Sequence, residues 1–378
     1  MLNSKNMKVI TLTTQYANNM GAQLQCYALS RYLKENEHVD CEVLNYYPVG
    51  ANRSWSYFPR PRTFRDFLKN IYCLLNFCLL FSKIKKQRLM RKFITKYIPL
   101  THQKYKRRDL RKKPPLADAF IVGSDQVWNF KYRCDETYFL DFVDKDKSKI
   151  IAYAPSIADP WNEKQALHIK PYLERFDCLS IREEGNLDQV RQLSPKNNPV
   201  VVVDPVFLLK REQWDTISNK RFCIDKPYIL CYFLSVTPLA IQTVAKIREL
   251  TGMKVVHYNL CALDKFNSEL DIHYGDPTDF VGLISNASYV CTNSFHCSAF
   301  AIIYRKNFMF VPKHMANERI SNLIENFGLS NVFSTVDRLN ALTKDDLKVD
   351  FSKVDSIGKD YIDFSKNYLH NSLLLNHE

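Results

Sequence analysis

Val290-Cys291-Thr292-Asn293-Ser294-Phe295-His296-Cys297-Ser298-Ala299-Phe300-Ala301-Ile302-Ile303 reads as a strand, a polar corner and a helix in immediate succession. The apolar, β-branched approach from Ala287 to Cys291 suits a buried strand, a short polar cluster follows it, and the apolar run beyond His296 has helical character. His296 is therefore expected where the strand gives way to the helix. That succession is the repeating unit of an α/β protein, whose ligands gather at the carboxyl ends of strands and at the first free N–H groups of helices. A histidine among apolar residues can equally be structural, so its role depends on whether the rest of the chain repeats the pattern.

It does, on both sides. Downstream of Pro227 the expected order is strand Tyr228–Leu234, helix Leu239–Leu250, strand Lys254–Tyr258, helix Asp279–Ser285, the His296 unit, strand Asn307–Val311 and helix Ile320–Phe327, stopped by Gly328. Upstream, Met7–Thr13 reads as a first strand, Asn18–Ala22 as a turn, Gln23–Lys34 as a helix and Val39–Tyr46 as the next strand. Four further strands end in polar clusters: Phe120–Val122 before Ser124, Asp125, Gln126 and Asn129; Ile150–Ala152 before Tyr153 and Ser156; Cys178–Ile181 before Arg182, Glu183 and Glu184; Val200–Val203 before Asp204. Polar residues at four successive strand ends fit one edge of a parallel sheet. The polar stretch after Trp214 marks the domain junction. The expected organisation is an α/β domain over 1–220 with a basic insertion at about 52–113, a second over 221–350, and a C-terminal helix within 351–378 packing back on the first.

At 378 residues the chain has material for two cores, and 46% hydrophobic with 25% charged residues excludes disordered and fibrous classes. Eleven cysteines without a C-x-x-C pair or zinc-like spacing argue against a disulfide framework or a metal site and for a reducing, cytoplasmic setting. The N-terminus shows no signal-peptide core. The net charge of +13 is local: Arg60–Lys113 holds eighteen Lys or Arg against Asp66 and Asp109, a balance of +16 that leaves −3 for the rest. Inside it, Ile71–Phe81 is apolar except for Asn76, too short to span a bilayer but suited to lie on an anionic membrane face. A buried insertion helix with a solvated basic flank, or a nucleic-acid contact, are the other readings; no nucleic-acid motif accompanies the charge.

Asn19-Met20-Gly21-Ala22-Gln23-Leu24-Gln25, Val122-Gly123-Ser124-Asp125-Gln126-Val127-Trp128-Asn129, Ser180-Ile181-Arg182-Glu183-Glu184, Val203-Asp204-Pro205-Val206 and Asn293-Ser294-Phe295-His296 together resemble the polysaccharide pyruvyl transferases. The resemblance runs over about 7–330 with the motifs in the family's order. It implies two Rossmann-like domains facing a central cleft, GT-B-like, and transfer of the carboxyvinyl group of phosphoenolpyruvate to two hydroxyls of a sugar in capsular or exopolysaccharide synthesis. No cofactor or metal is implied beyond that donor. His296 matches the family's catalytic histidine, and imidazole chemistry suits a group that gives and takes protons. Arg182 matches an arginine for the donor's carboxylate or phosphate, with an ion pair to Glu183 or Glu184 as the competing reading. Many members of the family have an arginine two residues before the histidine; this chain has Ser294, in a Ser-Phe-His version that also resembles the family, and Arg319 is the candidate replacement cation, with a surface arginine as the competing reading. Asn19, Gly21, Ser124, Asp125, Gln126, Asn129, Tyr153, Asn293 and Ser294 complete the expected substrate-binding set. Trp128 reads as core, with a stacking surface for a sugar as the other reading. The acceptor is expected on a lipid at the cytoplasmic membrane face. Open alternatives are a GT-B glycosyltransferase using a nucleotide sugar, and a non-enzymatic membrane- or nucleic-acid-binding protein.

Overall fold

The computed structural model describes residues 7–48, 55–61, 63–132, 135–222, 224, 227–259, 266–312 and 318–374. Readings that touch 52–54 and 62 in the basic segment, 223, 225 and 226 at the junction, 317 ahead of Arg319, and 375 in the tail lie outside the described residues.

In chain order the elements open with β1 (Lys8–Leu12), α1 (Met20–Asn36), β2 (Asp40–Val43), α2 (Phe64–Leu75), α3 (Phe77–Tyr97) and α4 (Arg107–Lys112). Next come β3 (Ala119–Val122), β4 (Lys149–Ala152), α5 (Glu163–Leu173), β5 (Cys178–Ile181), α6 (Leu187–Leu193), β6 (Val200–Val201) and α7 (Arg211–Asp215). The remainder is β7 (Tyr228–Tyr232), α8 (Pro238–Thr251), β8 (Lys254–Tyr258), β9 (Leu270–Ile272), α9 (Pro277–Asn286), β10 (Tyr289–Thr292), α10 (Phe295–Ile303), β11 (Asn307–Phe310), α11 (Glu318–Asn326), α12 (Val336–Ala341) and α13 (Ile357–Leu374).

Two compact units result: Met1–Asn52, Ile94–Leu209 and Lys359–Glu378 form the first, Arg53–Phe93 and Lys210–Gly358 the second. The first holds a sheet in the order β2-β1-β3-β4-β5-β6 and the second one in the order β11-β10-β7-β8-β9. Every pair is parallel. Parallel strands are covered on both faces, which is why β3, β4, β5, β7 and β10 are buried at every position and their sequences do not alternate. Strand order reverses between β1 and β3 in one sheet and between β7 and β10 in the other, and such reversals open the crevices where α/β sheets bind ligands.

The division differs from the expected one in two places. The junction falls at 209/210, ahead of Trp214, because α7 belongs to the second core: the Trp214 ring lies 4.8 Å from that of Phe300, and Tyr304 donates to Asp215 at 2.9 Å. The basic segment is also not one insertion. Residues from Ile94 on belong to the first unit, where Leu100 bridges to Val43 at the end of β2 and Tyr105 to Tyr46 beyond it, whereas 53–93 group with the second. The apolar run Ile71–Phe81 is no single helix: α2 and α3 meet at Asn76 with a bend of 102°. The Asn76 side chain accepts from Leu79 N, starting the new helix. From Lys359 on, α13 lies in the first unit, where Tyr368 donates to Ala152 O and Ser365 accepts from Val203 N.

Candidate functional site

In the second unit, β10 ends at Thr292, and Thr292 Oγ1 donates to Tyr232 O while accepting from Ser294 N. Asn293 turns to the neighbouring strand's loop, accepting from Leu234 N at 2.7 Å and donating to Ser235 O at 2.8 Å. The corner after β10 is thus pinned to the end of β7, across the strand-order reversal. Ser294 is the N-cap of α10, its hydroxyl accepting from Cys297 N. These bonds leave His296 in the first turn of α10, half-buried, with its ring edge-on to Phe295 at 5.3 Å. Asn293 and Ser294 are therefore pins of the corner, each less than a tenth exposed, and they set the place of the His296 imidazole. Arg319 is half-buried near the start of α11, a helix in contact with α10.

Farther along this sheet edge, Asp276 caps α9, and Asp279, three residues on, pairs with Arg221 at 2.7 Å. Burial, reinforced by Asp276, pushes the Asp279 carboxyl up to about 6. The Tyr258 hydroxyl is buried here without a hydrogen-bond partner among the described residues, and a Cβ on Gly275 would stand 2.9 Å from it. Nothing in the spacing of these residues along the sequence marked this cluster.

In the first unit the loops after β1 and β3 interlock. Thr13 Oγ1 donates to Ser124 O, and Thr14 Oγ1 donates to Asp125 at 2.7 Å. Gly123 permits the approach, since a Cβ there would meet Thr13 Cβ at 3.3 Å. Asp125 has φ 71°, a left-handed conformation that Asp tolerates better than branched residues and that is held by its bridge to Pro155. Exposed Asn19 caps α1 beside this reversal, accepting from Ala22 N, and buried Gly21 lies in that helix's first turn. Gln126 accepts from Asn129 Nδ2, and Asn129 accepts from Lys131 N, so the pair braces the turn after β3.

Arg182 does not present itself to a ligand. Its guanidinium donates to Asp204 at 2.8 Å, to Glu183 at 3.2 Å and to Ser124 Oγ at 3.3 Å, with its side chain 4% exposed. Asp204, fully buried, also accepts from Ser124 Oγ and Val206 N, and Glu183 accepts from Ser156 Oγ and Ile157 N. The result is a closed network tying together the ends of β3, β4, β5 and β6, in which both negative partners already occupy the cation. The ion-pair reading of Arg182 is the one its geometry supports; Asp204, Glu183 and Ser156 join it, although the sequence reading placed none of the three among the site residues. Tyr153 is likewise not a ligand-facing residue. It has no exposed surface, its ring lies 6.4 Å from that of Tyr368 on α13, and burial beside Asp204 drives its hydroxyl well above the usual phenol range. Trp128 is core, stacked on Phe139 at 5.0 Å. Among the described residues no three His, Cys, Asp or Glu side chains cluster to hold a metal.

A model of the polysaccharide pyruvyl transferases matches residues 19–312, from the cap of α1 to just beyond β11. The chain belongs to the polysaccharide pyruvyl transferase family. Solved structures extend the likeness of fold to nearly the whole chain. The UDP-GlcNAc 2-epimerase of Neisseria meningitidis, bound to UDP-GlcNAc, is 11% identical, covers 98% of this chain with 100% of its own, and superimposes with a TM-score of 0.52. The UDP-N-acetylglucosamine 2-epimerase of Rickettsia bellii gives the same identity and TM-score over 98% and 96% of the two chains. UGT89C1 of Arabidopsis thaliana, complexed with UDP-L-rhamnose, is 12% identical with a TM-score of 0.50 over 98% and 100%. At such identities the likeness is one of fold, and that fold is GT-B-like. No curated protein matches the chain. Within the matched residues of this transferase-family member, His296 stands in the first turn of α10 and Ser294 is that helix's N-cap.

Proposed function

We propose that this pyruvyl transferase family member moves the carboxyvinyl group of phosphoenolpyruvate onto two hydroxyls of one sugar, giving a pyruvate ketal and inorganic phosphate, in the synthesis of a capsular or exopolysaccharide. The observation that carries the proposal is His296 in the first turn of α10, at the strand-order reversal of a sheet inside the family match. A proton delivered to the methylene carbon of the donor leaves C2 electrophilic, and the first sugar hydroxyl adds there. His296 supplies that proton and is recharged by the one the hydroxyl loses. The second hydroxyl then displaces phosphate at C2, its proton leaving with the phosphate, so the overall exchange needs no redox partner. Helix N-terminal turns, such as those of α1 and α10, are of the kind that receive phosphate and carboxylate. Arg319 is the proposed second cation in place of the arginine missing at Ser294. Asn19, Gly21, Asp125 and Gln126 are the proposed contacts of the first unit, and the acceptor is proposed to ride on a lipid at the cytoplasmic face of a membrane.

Surface glycans from a strain lacking this protein should lose the ketal mass increment that the parent strain shows. His296→Ala should lower phosphate release from phosphoenolpyruvate by at least about 100-fold while leaving the unfolding midpoint unchanged. Near-normal turnover in that variant refutes its role in proton transfer. If UDP-sugars raise the melting temperature and phosphoenolpyruvate does not, the chain is instead a user of nucleotide sugars.

A further inference from the structure

In a helix packed on a globular core, the apolar stripe faces inward. α2 does the reverse. Phe64, Phe67, Leu68, Ile71, Tyr72 and Leu75 recur at intervals of three and four, the spacing of one helix face, and every one of them is exposed, Phe64 by 74% and Leu75 by 75%. The stripe continues past the bend: Phe77 at the start of α3 is 80% exposed and Phe81 65%. More than half of the large apolar side chains exposed among the described residues fall between Phe58 and Phe81. Such a concentration marks a surface that something covers.

The lower half of α3 shows why this knuckle stands out from its own unit. Gln87, Met90 and Phe93 are buried, Lys83 donates to Tyr57 O, and Lys85 stands 3.8 Å over the Tyr274 ring, so the helix is fastened beyond Ser82, whereas Phe77 and Phe81 before it are exposed. Among the described residues no single helix is long and apolar enough to cross a membrane, and the 102° bend separates the two apolar pieces. Charge selects among coverings. Residues 53–93 hold eleven Lys or Arg and one acid, Asp66, and Arg60, Arg88 and Lys92 are exposed. A second copy of this face would set that charge against itself, whereas an anionic headgroup layer complements it and accepts the aromatic and leucine side chains beneath.

We propose that the α2–α3 knuckle, with Phe64, Leu75, Phe77 and Phe81 as its inserting side chains, docks the protein in-plane on an anionic phospholipid bilayer. This surface does not depend on the reaction proposed above.

Sedimentation of the full chain with vesicles of phosphatidylglycerol and phosphatidylcholine, and with phosphatidylcholine alone, tests it. The wild type should bind the mixed vesicles, more weakly in high salt, and bind pure phosphatidylcholine far less. The double variant Leu75→Glu/Phe77→Glu should lose at least about 100-fold in partitioning, because both side chains are exposed and neither supports the core. Circular dichroism should match the wild type. Wild-type protein that stays in the supernatant, or a double variant that sediments normally, overturns the proposal. So does a wild-type dimer that this variant dissolves while neither protein binds vesicles, since the face would then serve self-association.

Discussion

Arg182 shows how a side chain's partners override its residue type. An arginine beside a strand end suggests an anion clamp, yet here two carboxylates already hold it in a site closed to solvent. Removing it would strand Asp204 and Glu183 as buried charges, a loss of about 3 to 5 kcal/mol. Arg182→Ala should therefore unfold at markedly lower urea concentration than the wild type. A variant of native stability whose only defect is weakened phosphoenolpyruvate binding would restore the clamp reading. Asp279 gives a pH signature at the same scale. Its carboxyl is pushed up to about 6, so folding disfavours the charged form. The favourable protonated state is available below the unfolded value near 4, and its advantage is lost as pH rises toward 6, on the order of 3 kcal/mol. Urea titrations at pH 4, 5, 6 and 7 should show wild-type stability falling relative to Asp279→Asn across that window; parallel curves would refute the assignment.

Among the elements, most strands and helices were legible, because burial on both faces writes continuous apolar runs and caps write Ser, Thr, Asn and Asp at helix starts. β8 was expected at 254–258 and is observed there, and α8, expected at 239–250, runs over Pro238–Thr251. β9 was not anticipated: two of its three residues are exposed, so Leu270-Asp271-Ile272 has no apolar signature. The knuckle was legible as apolar and basic but not as broken, since a single Asn in an apolar run does not announce a helix end. α9 illustrates a contact invisible to any local pattern. A Cβ on Gly282, in the middle of that helix, would lie 1.9 Å from Asn219 O. Gly282→Ala normally strengthens a helix; here it should destabilise the second unit by about 3 kcal/mol or more, measured by thermal unfolding. A neutral or stabilised variant would show that the 219 loop yields.

For the molecule as a whole, the family match ends at residue 312, yet the first core depends on the chain's last helix. Leu369 and Leu373 are buried, Tyr368 donates to Ala152 O on β4, and Lys149 donates to Leu373 O. A chain ending at residue 358 should lose the cooperative unfolding transition of the first unit in calorimetry while the second unit, which needs no residue beyond 358, keeps its own. Two intact transitions in the shortened chain would refute this dependence.

The sequence by itself determined the two parallel α/β sheets, the position of His296 at a strand-to-helix junction and the family, because apolar periodicity, capping residues and ordered motifs are local along the chain. Only the tertiary structure decided that Arg182 and Tyr153 are internal, that 53–93 divides from 94–113, and that the apolar stripe of α2 points outward. Those facts depend on which distant residue supplies a partner: Asp204 for Arg182, the α13 face for Tyr153, and none among the described residues for Leu75 and Phe77. A chain's own order fixes its periodicities, but pairing across the fold fixes what each side chain is free to do.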